Sequence, residues 1–503
     1  MDKFGIQNFK SFSKFNSIRL APITLIYGQN SAGKSSITQA LRLLLQSFKS
    51  GESRFKLLLS GDDIEFGLPE TFFHKGRIHA PLKFHFESPL RSEYFESEPK
   101  DISPEQKVLS EKYAKIRIVL VYKYEVISSI DQPVILDRIE YKFIASDDSI
   151  TGAFSLQRDS PKNASFSLAD KSSVNTLSKY LALTGSLIFS KGRFGRKSIS
   201  KPDDSESKLL TSKAINDLLC SPKVKFGEES RRLSPLGRVT PLPEMSLSML
   251  DGRDDRHFIL PYAFHRLNRG IHGILQRFLH IAGLRASPKR RYEFGDRSGF
   301  VGQSGEHTAT VLYRRTGSVK KINRWFKLLE MPYRLEIVPI KHHLAGELLI
   351  IKLKDLRNGA IVTPSDVGVG VSQVLPLLTQ GMVDQEPNAK TKDNLLKVRC
   401  VEQPELHLHP KLQANLADFF IESVKENRNL RWILETHSEA LILRLQRRVR
   451  EGTLDPNLIS VNYVNSTSGG SNITELRLDN SGAFIDEWPE GFFEEGFIER
   501  FGV

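Results

Sequence analysis

At 503 residues the chain exceeds what one ordinary core accommodates, so two or three lobes with a large apolar interior are expected. Lysine and arginine total 72 against 59 aspartates and glutamates, and the resulting +13, with a pI near 9.4, favours an acidic partner such as nucleic acid, a plain cationic surface being the other reading. Cys220 and Cys400 are the only cysteines, which excludes a disulfide framework and a thiolate zinc site, and no apolar run reaches the roughly 18 residues of a membrane span.

Met1 to Gly5 carries no long apolar core of a signal peptide, so a soluble, cytoplasmic protein without a membrane partner is expected. Phe4 to Phe12 alternates and reads as a strand, with a second strand behind it. Ile23-Thr24-Leu25-Ile26-Tyr27 is a β-rich apolar run, and Ile37 through Leu45 has helical apolar spacing. Between them, Gly28-Gln29-Asn30-Ser31-Ala32-Gly33-Lys34-Ser35-Ser36 fits the G-x-x-x-x-G-K-[ST] pattern in full. Gly28 and Gly33 let the backbone curl so that N–H groups face phosphate oxygens, and the helix that follows adds its positive end. Lys34 is placed to reach the β- and γ-phosphates and Ser35 to offer a hydroxyl to Mg2+. The expected ligand is therefore ATP with Mg2+, contacted by Gly28, Asn30, Gly33, Lys34, Ser35 and Ser36.

From about residue 66 to 165, alternating runs such as Ile116–Tyr122 and Arg138–Ile144 are separated by Asp, Ser and Gly turns and read as antiparallel strands. From about 166 to 260 the chain is rich in Ser, Lys, Asp and Pro, including Ser198–Lys208 and Ser221–Lys225, and parts of it read as mobile loops. Tyr262 through Leu284 recovers helical spacing, with Phe264, Leu267, Ile271, Leu275, Phe278 and Ile281 on one side. Arg285, Lys289, Arg290 and Arg291 follow, then Arg314, Arg315, Lys320, Lys321 and Arg324. These fit a nucleic-acid surface, with Tyr292 and Trp325 for stacking, or a solvated cationic face. The rest is α/β: Leu348–Leu353 a strand, Val371–Leu378 a helix start, Leu395–Val401 a strand, Leu412–Val424 a helix and Arg431–Thr436 a strand. No repeat of 20 to 50 residues is present, which argues against solenoids and propellers.

The strand ending at Val401 runs into Glu402-Gln403-Pro404-Glu405-Leu406-His407-Leu408-His409-Pro410, and an acid at that strand end is where P-loop ATPases hold Mg2+. Glu402 takes that place. This segment resembles the D-E-P-E-x-x-L-H-P stretch of ABC-type ATPases of the SMC, RecF and OLD families. Ser365 to Gln373 resembles a divergent ABC signature, and Glu435-Thr436-His437-Ser438-Glu439 resembles the switch-histidine loop. The resemblance implies an α/β P-loop head split by an insertion. Residues 1–65 and 276–503 would form its two parts, and 66–275 a β-rich, partly helical arm. It also implies at least a dimer, with His437 acting at the site of its own chain and Ser372 completing the site of a second copy. Asn8, Lys10 and Phe12 fall where related heads contact adenine, or they pack the strand.

One departure bears on mechanism. The family pattern has Asp followed by a catalytic Glu, whereas this chain has Glu402 followed by Gln403, and a glutamine accepts no proton from water. Hydrolysis is then either slow or served by Glu405 as base, with Gln403 orienting the water. His407, His409 and His437 admit a zinc reading, but no ligating cysteine accompanies them and each matches the ATPase pattern. The two head segments, with the tail Phe484–Phe493, resemble the stand-alone ATPases of prokaryotic anti-phage defence systems of the Septu and PARIS kind. That implies a subunit that senses a phage trigger, DNA or a phage protein among the candidates, and controls a separate effector protein. The alternatives are a RecF-like DNA repair ATPase and a nonenzymatic scaffold gated by ATP.

Overall fold

The computed structural model describes residues 2–49, 55–90, 111–126, 133–160, 165–190, 211–221, 224–227, 242–247, 256–295, 299–342, 346–385, 396–489 and 502. It divides into two compact units, one of Met1–Ser17 and Ser36–Gln276, the other of Ile18–Ser35 and Arg277–Val503.

The first unit is built on a nine-stranded sheet. Its strands are β1 (Lys3–Gln7), β2 (Asn16–Arg19), β4 (Leu82–Pro89), β5 (Lys115–Tyr124), β6 (Val134–Ile144), β7 (Ile150–Arg158), β8 (Ser165–Leu168), β9 (Val224–Gly227) and β10 (Glu244–Leu247), in the spatial order β10-β9-β8-β7-β6-β5-β4-β1-β2. The neighbours from β1 and β4 out to β10 pair antiparallel, as the alternation predicts. Ile116, Ile118, Leu120 and Tyr122, two apart along β5, are fully buried. Tyr141 of β6 stacks on Phe154 of β7, and its hydroxyl donates to Asn268 Oδ1 at 3.0 Å.

Two helices lie in the stretch expected to be irregular or helical and in parts loop-like. The helix α2 (Lys171–Ser190) buries Leu177, Tyr180, Leu181 and Thr184, a clean i, i+3, i+4, i+7 stripe whose signal the intervening Ser and Thr residues dilute. A second helix, α3 (Ser212–Leu219), is capped by Thr211, whose hydroxyl accepts from the Ala214 N–H. Ser198–Lys208 and Pro222-Lys223 lie outside the described residues. The strand expected over Phe4–Phe12 stops at Gln7, because Asn8 and Lys10 turn the chain with φ of +57° and +48°. Packing claims two of the residues considered for adenine: the Asn8 amide donates to the carbonyls of Arg77 and Ala80, and Phe12 is fully buried.

The second unit carries a six-stranded sheet of β3 (Ile23–Gly28), β11 (Phe278–Ile281), β16 (Lys397–Glu402), β17 (Leu430–Glu435), β18 (Ile459–Thr467) and β19 (Gly470–Leu476), ordered β11-β16-β17-β3-β18-β19. All neighbours are parallel except β18 and β19. Strands covered on both faces read as largely apolar runs: Trp432–Leu434 is one without a break, and Val398–Val401 is broken only by Arg399, whose charge Asp384 meets. The same rule explains why Phe278 and Ile281, assigned by spacing to a helix, form a strand: helix α4 (Arg256–Arg277) ends before them, and Phe278 pairs with Val398 and Ile281 with Val401. A smaller sheet, β12 (Tyr292–Glu293), β14 (Gly346–Asp355) and β13 (Tyr333–His342), carries β15 (Ile361–Val362) on β14. Helices α5 (Thr308–Arg314), α6 (Thr316–Leu328), α7 (Val369–Gln385), α8 (Pro410–Glu426) and α9 (Glu439–Arg450) complete the unit. Its core joins the sheet residues Leu25, Val401, Trp432 and Leu434 to Leu377, Phe419 and Leu445 of α7, α8 and α9. Among the described residues, no helix is long and apolar enough to cross a membrane.

Candidate nucleotide site

Helix α1 (Lys34–Lys49) starts directly after the glycine-rich loop that leaves β3. Gly28 has φ of +143° and Gly33 of +104°, which side chains rarely adopt, and a Cβ at Gly28 would lie 2.2 Å from the Val464 carbonyl oxygen. The loop curls back on Lys34, whose Nζ donates to the carbonyls of Gly28 at 3.0 Å and Gln29 at 2.7 Å. Burial pushes the Lys34 ammonium pKa down, and Glu435 opposes the shift. Gln29 and Asn30 are exposed at the rim.

Three carboxylates gather at the same ends of the neighbouring strands. Glu402 and Glu435 face each other in register as the last residues of β16 and β17, and Glu435 pairs onward with Ile26, two residues before Gly28. Ser35 Oγ donates to Glu435 Oε1 at 2.8 Å, and Oε2 of Glu435 is buried with no hydrogen-bond partner among the described residues. Burial raises the Glu435 pKa to about 7, helped by Glu402 and Glu405 and countered by Ser35 and Lys34. Glu402 turns the other way: its Oε1 meets His280 Nε2, on β11, at 2.9 Å. Glu405 is buried, with Oε1 accepting the His437 N–H at 2.8 Å and Oε2 unpartnered among the described residues. Desolvation raises its pKa, partly offset by hydrogen bonds from His437 and Thr436. The His437 imidazole is shifted down by burial and then by Lys34, which favours its neutral form.

Gln403 occupies a left-handed turn, φ +42°, and its N–H donates to the Glu435 carbonyl at 2.7 Å. Arg285 braces that turn. It is 6% exposed and donates to the carbonyls of Gly283, Gln403 and Glu402 at 3.0, 2.9 and 3.0 Å, with a longer 3.4 Å contact to Gln373 Oε1 of α7. Arg285 is thus an internal residue, not part of a nucleic-acid surface, and burial brings its pKa down to about 10 against Glu405 and Glu402. Trp325 is likewise buried, edge-on to Phe419, and unavailable for stacking on bases. Arg290 pairs with Asp366 and Arg324 with Glu422. Ser372 lies in the first turn of α7 with its Oγ donated to the Val369 carbonyl at 2.7 Å, beside a cavity lined by Ala286, Tyr292 and Pro376.

The structure therefore brings Gly28, Gly33, Lys34, Ser35, Glu402, Gln403, Glu405 and His437 into one unit at the ends of β3, β16 and β17. His280 and Glu435 were missed as site residues. Glu435 meets the same criterion that singled out Glu402, an acid closing an apolar strand; His280 was hidden inside the expected helix. The residues fit a magnesium nucleotide: a glycine turn at Gly28 that a Cβ would not enter, a lysine and hydroxyl at the helix start, and two buried carboxylate oxygens without partners among the described residues. Among the described residues no three His, Cys, Asp or Glu side chains converge on a metal position, and Mg2+ asks for few protein ligands.

Comparison with curated proteins returned no match. Three solved structures that align along the chain are an SMC head bound to the C-terminal winged-helix domain of ScpA (13% identity, 95% of this chain and 98% of that one, TM-score 0.40), the SMC head domain from Thermotoga maritima (12%, 95% and 99%, 0.33) and the Pyrococcus furiosus SMC head with an extended coiled coil bound to the C-terminal domain of ScpA (13%, 95% and 96%, 0.37). Residues 454–499, which include Phe484 and Trp488 packed edge-on to each other and Trp488 against Tyr27, match a family described as a protein of unknown function. Positions 490–493 of the tail lie outside the described residues. Residues 23–444, running from the phosphate-loop strand through the switch-histidine segment, match one family over most of their length, and the chain belongs to it: the family described as AAA domain, putative AbiEii toxin, Type IV TA system.

Proposed function

We propose that the chain is a magnesium-dependent, slowly hydrolysing ATPase subunit of an anti-phage defence system, one that governs a separate effector through nucleotide-dependent association of its own copies. The observation that carries the nucleotide part is the meeting of Lys34 and Ser35 with strand-end carboxylates on one parallel sheet. In this reading the loop N–H groups from Gly28 to Ser36 and the Lys34 ammonium hold the phosphates, and Asn30 closes the rim. Ser35 and one strand-end acid, Glu402 by the position of the motif, would hold Mg2+. When bound, that ion neutralises phosphate charge. Glu405, buried and made more basic by burial, takes the proton of the attacking water at Oε2, Gln403 orients that water, and neutral His437 donates toward the terminal phosphate. Ser372 serves the site of a second copy, which makes the working unit at least a dimer. The head would then comprise residues 1–65 and 276–503, with 66–275 as the arm that meets trigger or effector.

The defence reading is supported by the family description, which names a putative AbiEii toxin and a Type IV TA system, and by the motif order from phosphate loop to tail. The repair-ATPase reading is weakened where Arg285 and Trp325 turn inward, leaving Arg314, Lys320 and Lys321 outside. Purification with mass determination tests the two. A stoichiometric second protein released or retained according to ATP supports the defence subunit; salt-sensitive binding to duplex or gapped DNA without such a partner supports the repair ATPase. Lys34→Ala is expected to abolish ATP binding and any ATP-dependent change of mass, and unchanged binding removes the nucleotide site altogether.

A further inference from the structure

We infer that Glu435, rather than Glu402, is the carboxylate that joins Ser35 in holding the divalent cation of the nucleotide site. The inference rests on the proposed nucleotide reading and adds a ligand that the phosphate-loop pattern does not supply.

The spacing is the first support. Octahedral Mg2+ binds oxygen at about 2.0–2.1 Å, so two adjacent ligand oxygens lie about 2.9 Å apart. Ser35 Oγ and Glu435 Oε1 are 2.8 Å apart. The hydroxyl and the carboxylate thus already stand at the separation of neighbouring ligands, joined for now by the hydroxyl proton. Only a rotation of that O–H is needed for both oxygens to present lone pairs to one cation.

The second support is an unmet need. Oε2 of Glu435 is buried without a hydrogen-bond partner among the described residues, on a side chain that is 8% exposed. A carboxylate oxygen kept from both water and protein donors is destabilised until a donor or a cation reaches it. Glu402 lacks that incentive, because its Oε1 is taken by His280 Nε2 and its carbonyl by Arg285. Sheet order agrees. The strand β17 carrying Glu435 is the immediate neighbour of the phosphate-loop strand, and β16 with Glu402 lies one strand farther out. Mg2+ dehydrates reluctantly and accepts one or two carboxylates, so one serine and Glu435 suffice beside the phosphates.

The test uses the full chain and a non-hydrolysed fluorescent ATP analogue, titrated once in EDTA and once in Mg2+, with bound Mn2+ counted by electron paramagnetic resonance in the presence of the same analogue. In the unmodified protein Mg2+ tightens binding. Glu435→Gln is expected to shrink that tightening by at least about tenfold, the lower end of what removing a metal-site partner does. Its affinity in EDTA should not fall, since without the cation the substitution only removes a negative charge beside the phosphates, whereas a uniform-binding loss would weaken both titrations alike. Glu402→Gln should cut the Mg2+ effect less than Glu435→Gln does. Retention of the full Mg2+ effect and of bound Mn2+ by Glu435→Gln overturns the inference, as does a larger loss in Glu402→Gln. If Glu435→Gln does not fold, Glu435→Asp keeps the charge but withdraws the oxygens by one methylene, and normal Mn2+ binding in it overturns the inference equally. Binding of the analogue in EDTA by Lys34→Ala as tightly as by the parent refutes the nucleotide site itself, a distinct outcome.

Discussion

Arg285→Met isolates the brace under the acidic turn. The substitution keeps the apolar stem but strips the donors from three carbonyl oxygens, those of Gly283, Glu402 and Gln403. A charge-assisted hydrogen bond contributes about 1.5–3 kcal/mol and a stranded buried acceptor costs about 1–3 kcal/mol. Against this, the variant no longer buries a guanidinium, which itself carries a desolvation penalty of several kcal/mol. At about 1 kcal/mol net per carbonyl the loss is about 3 kcal/mol, which at a urea slope near 3 kcal/mol/M lowers the midpoint by about 1 M. Arg285→Lys, with one compact ammonium that cannot span three carbonyls, should fall between the two. ATP affinity should drop in Arg285→Met as well, because the turn that presents Gln403 at φ +42° and Glu405 behind it loses its support. Urea melts followed by fluorescence of the buried Trp325 and Trp432 read the unit directly. A midpoint within about 0.2 M of the parent refutes the brace. So does a variant that keeps its stability but loses about one unit of salt slope in DNA binding, the signature of an external phosphate contact.

Other outcomes follow from the same geometry. Glu405→Gln should lower ATP turnover by about 10²–10⁴, the range for losing a general base, and Gln403→Ala by less; the reverse ranking in a phosphate-release assay would move the main role to Gln403. Gly28→Ala combines a left-handed φ with a Cβ 2.2 Å from the Val464 oxygen, so a loss of about 2–5 kcal/mol in urea stability is expected, whereas Gly317→Ala, in α6 with nothing within 4 Å, should be neutral or slightly stabilising. His85, packed on Phe15 at 4.3 Å, is held at a pKa of about 4 by burial and then by Lys83, Arg117 and Lys142. The folded state keeps it neutral while the unfolded chain takes up a proton below pH 6.5, so its contribution is full above that pH and is lost as pH falls toward 4, at most about 3 kcal/mol. The difference in pH-dependent urea melts between the parent and His85→Gln should vanish above pH 6.5 apart from a constant offset; a difference that grows there instead contradicts it.

The phosphate loop was legible because its chemistry is local: glycines with forced dihedrals, a lysine and a serine within nine consecutive residues. The strands Ile23–Gly28, Leu430–Glu435 and Lys397–Glu402 were legible because a parallel strand covered on both faces is mostly apolar between its ends. That property also hid β11. Phe278-Leu279-His280-Ile281 satisfies strand and helix periodicity alike, and only pairing with Val398–Val401 decides between them. A helical reading of that segment hides His280, which the strand brings beside Glu402. Arg285 was misplaced for a related reason: charge in a sequence reports composition, while burial of a guanidinium depends on carbonyls contributed by residues more than a hundred positions away. The α2 stripe failed through dilution, since seven of its residues are Ser or Thr, which weaken a helical signal without preventing a helix once Leu177, Tyr180 and Leu181 have a core to enter.

Whether positions 403 and 435 share one electrostatic site can be tested without nucleotide. Residue 403 lies one step beyond the Glu402–Glu435 pairing, and Glu435 already feels both Glu402 and Glu405. A carboxylate at 403 would add a further negative charge to this group. Even at a separation of about 8 Å and an effective dielectric near 20, two such charges repel by about 2 kcal/mol. Gln403→Glu should therefore destabilise the second unit in the parent and do so less when Glu435 is Gln. In a double-mutant cycle of urea midpoints at pH 9, where Glu435 with its pKa of about 7 is ionised, the coupling between the two positions should reach about 1–2 kcal/mol, with the doubly substituted chain more stable than the two single effects sum to. Additivity within about 0.5 kcal/mol would mean that the two positions do not share one electrostatic site, and Gln403 would then owe its presence to water orientation alone.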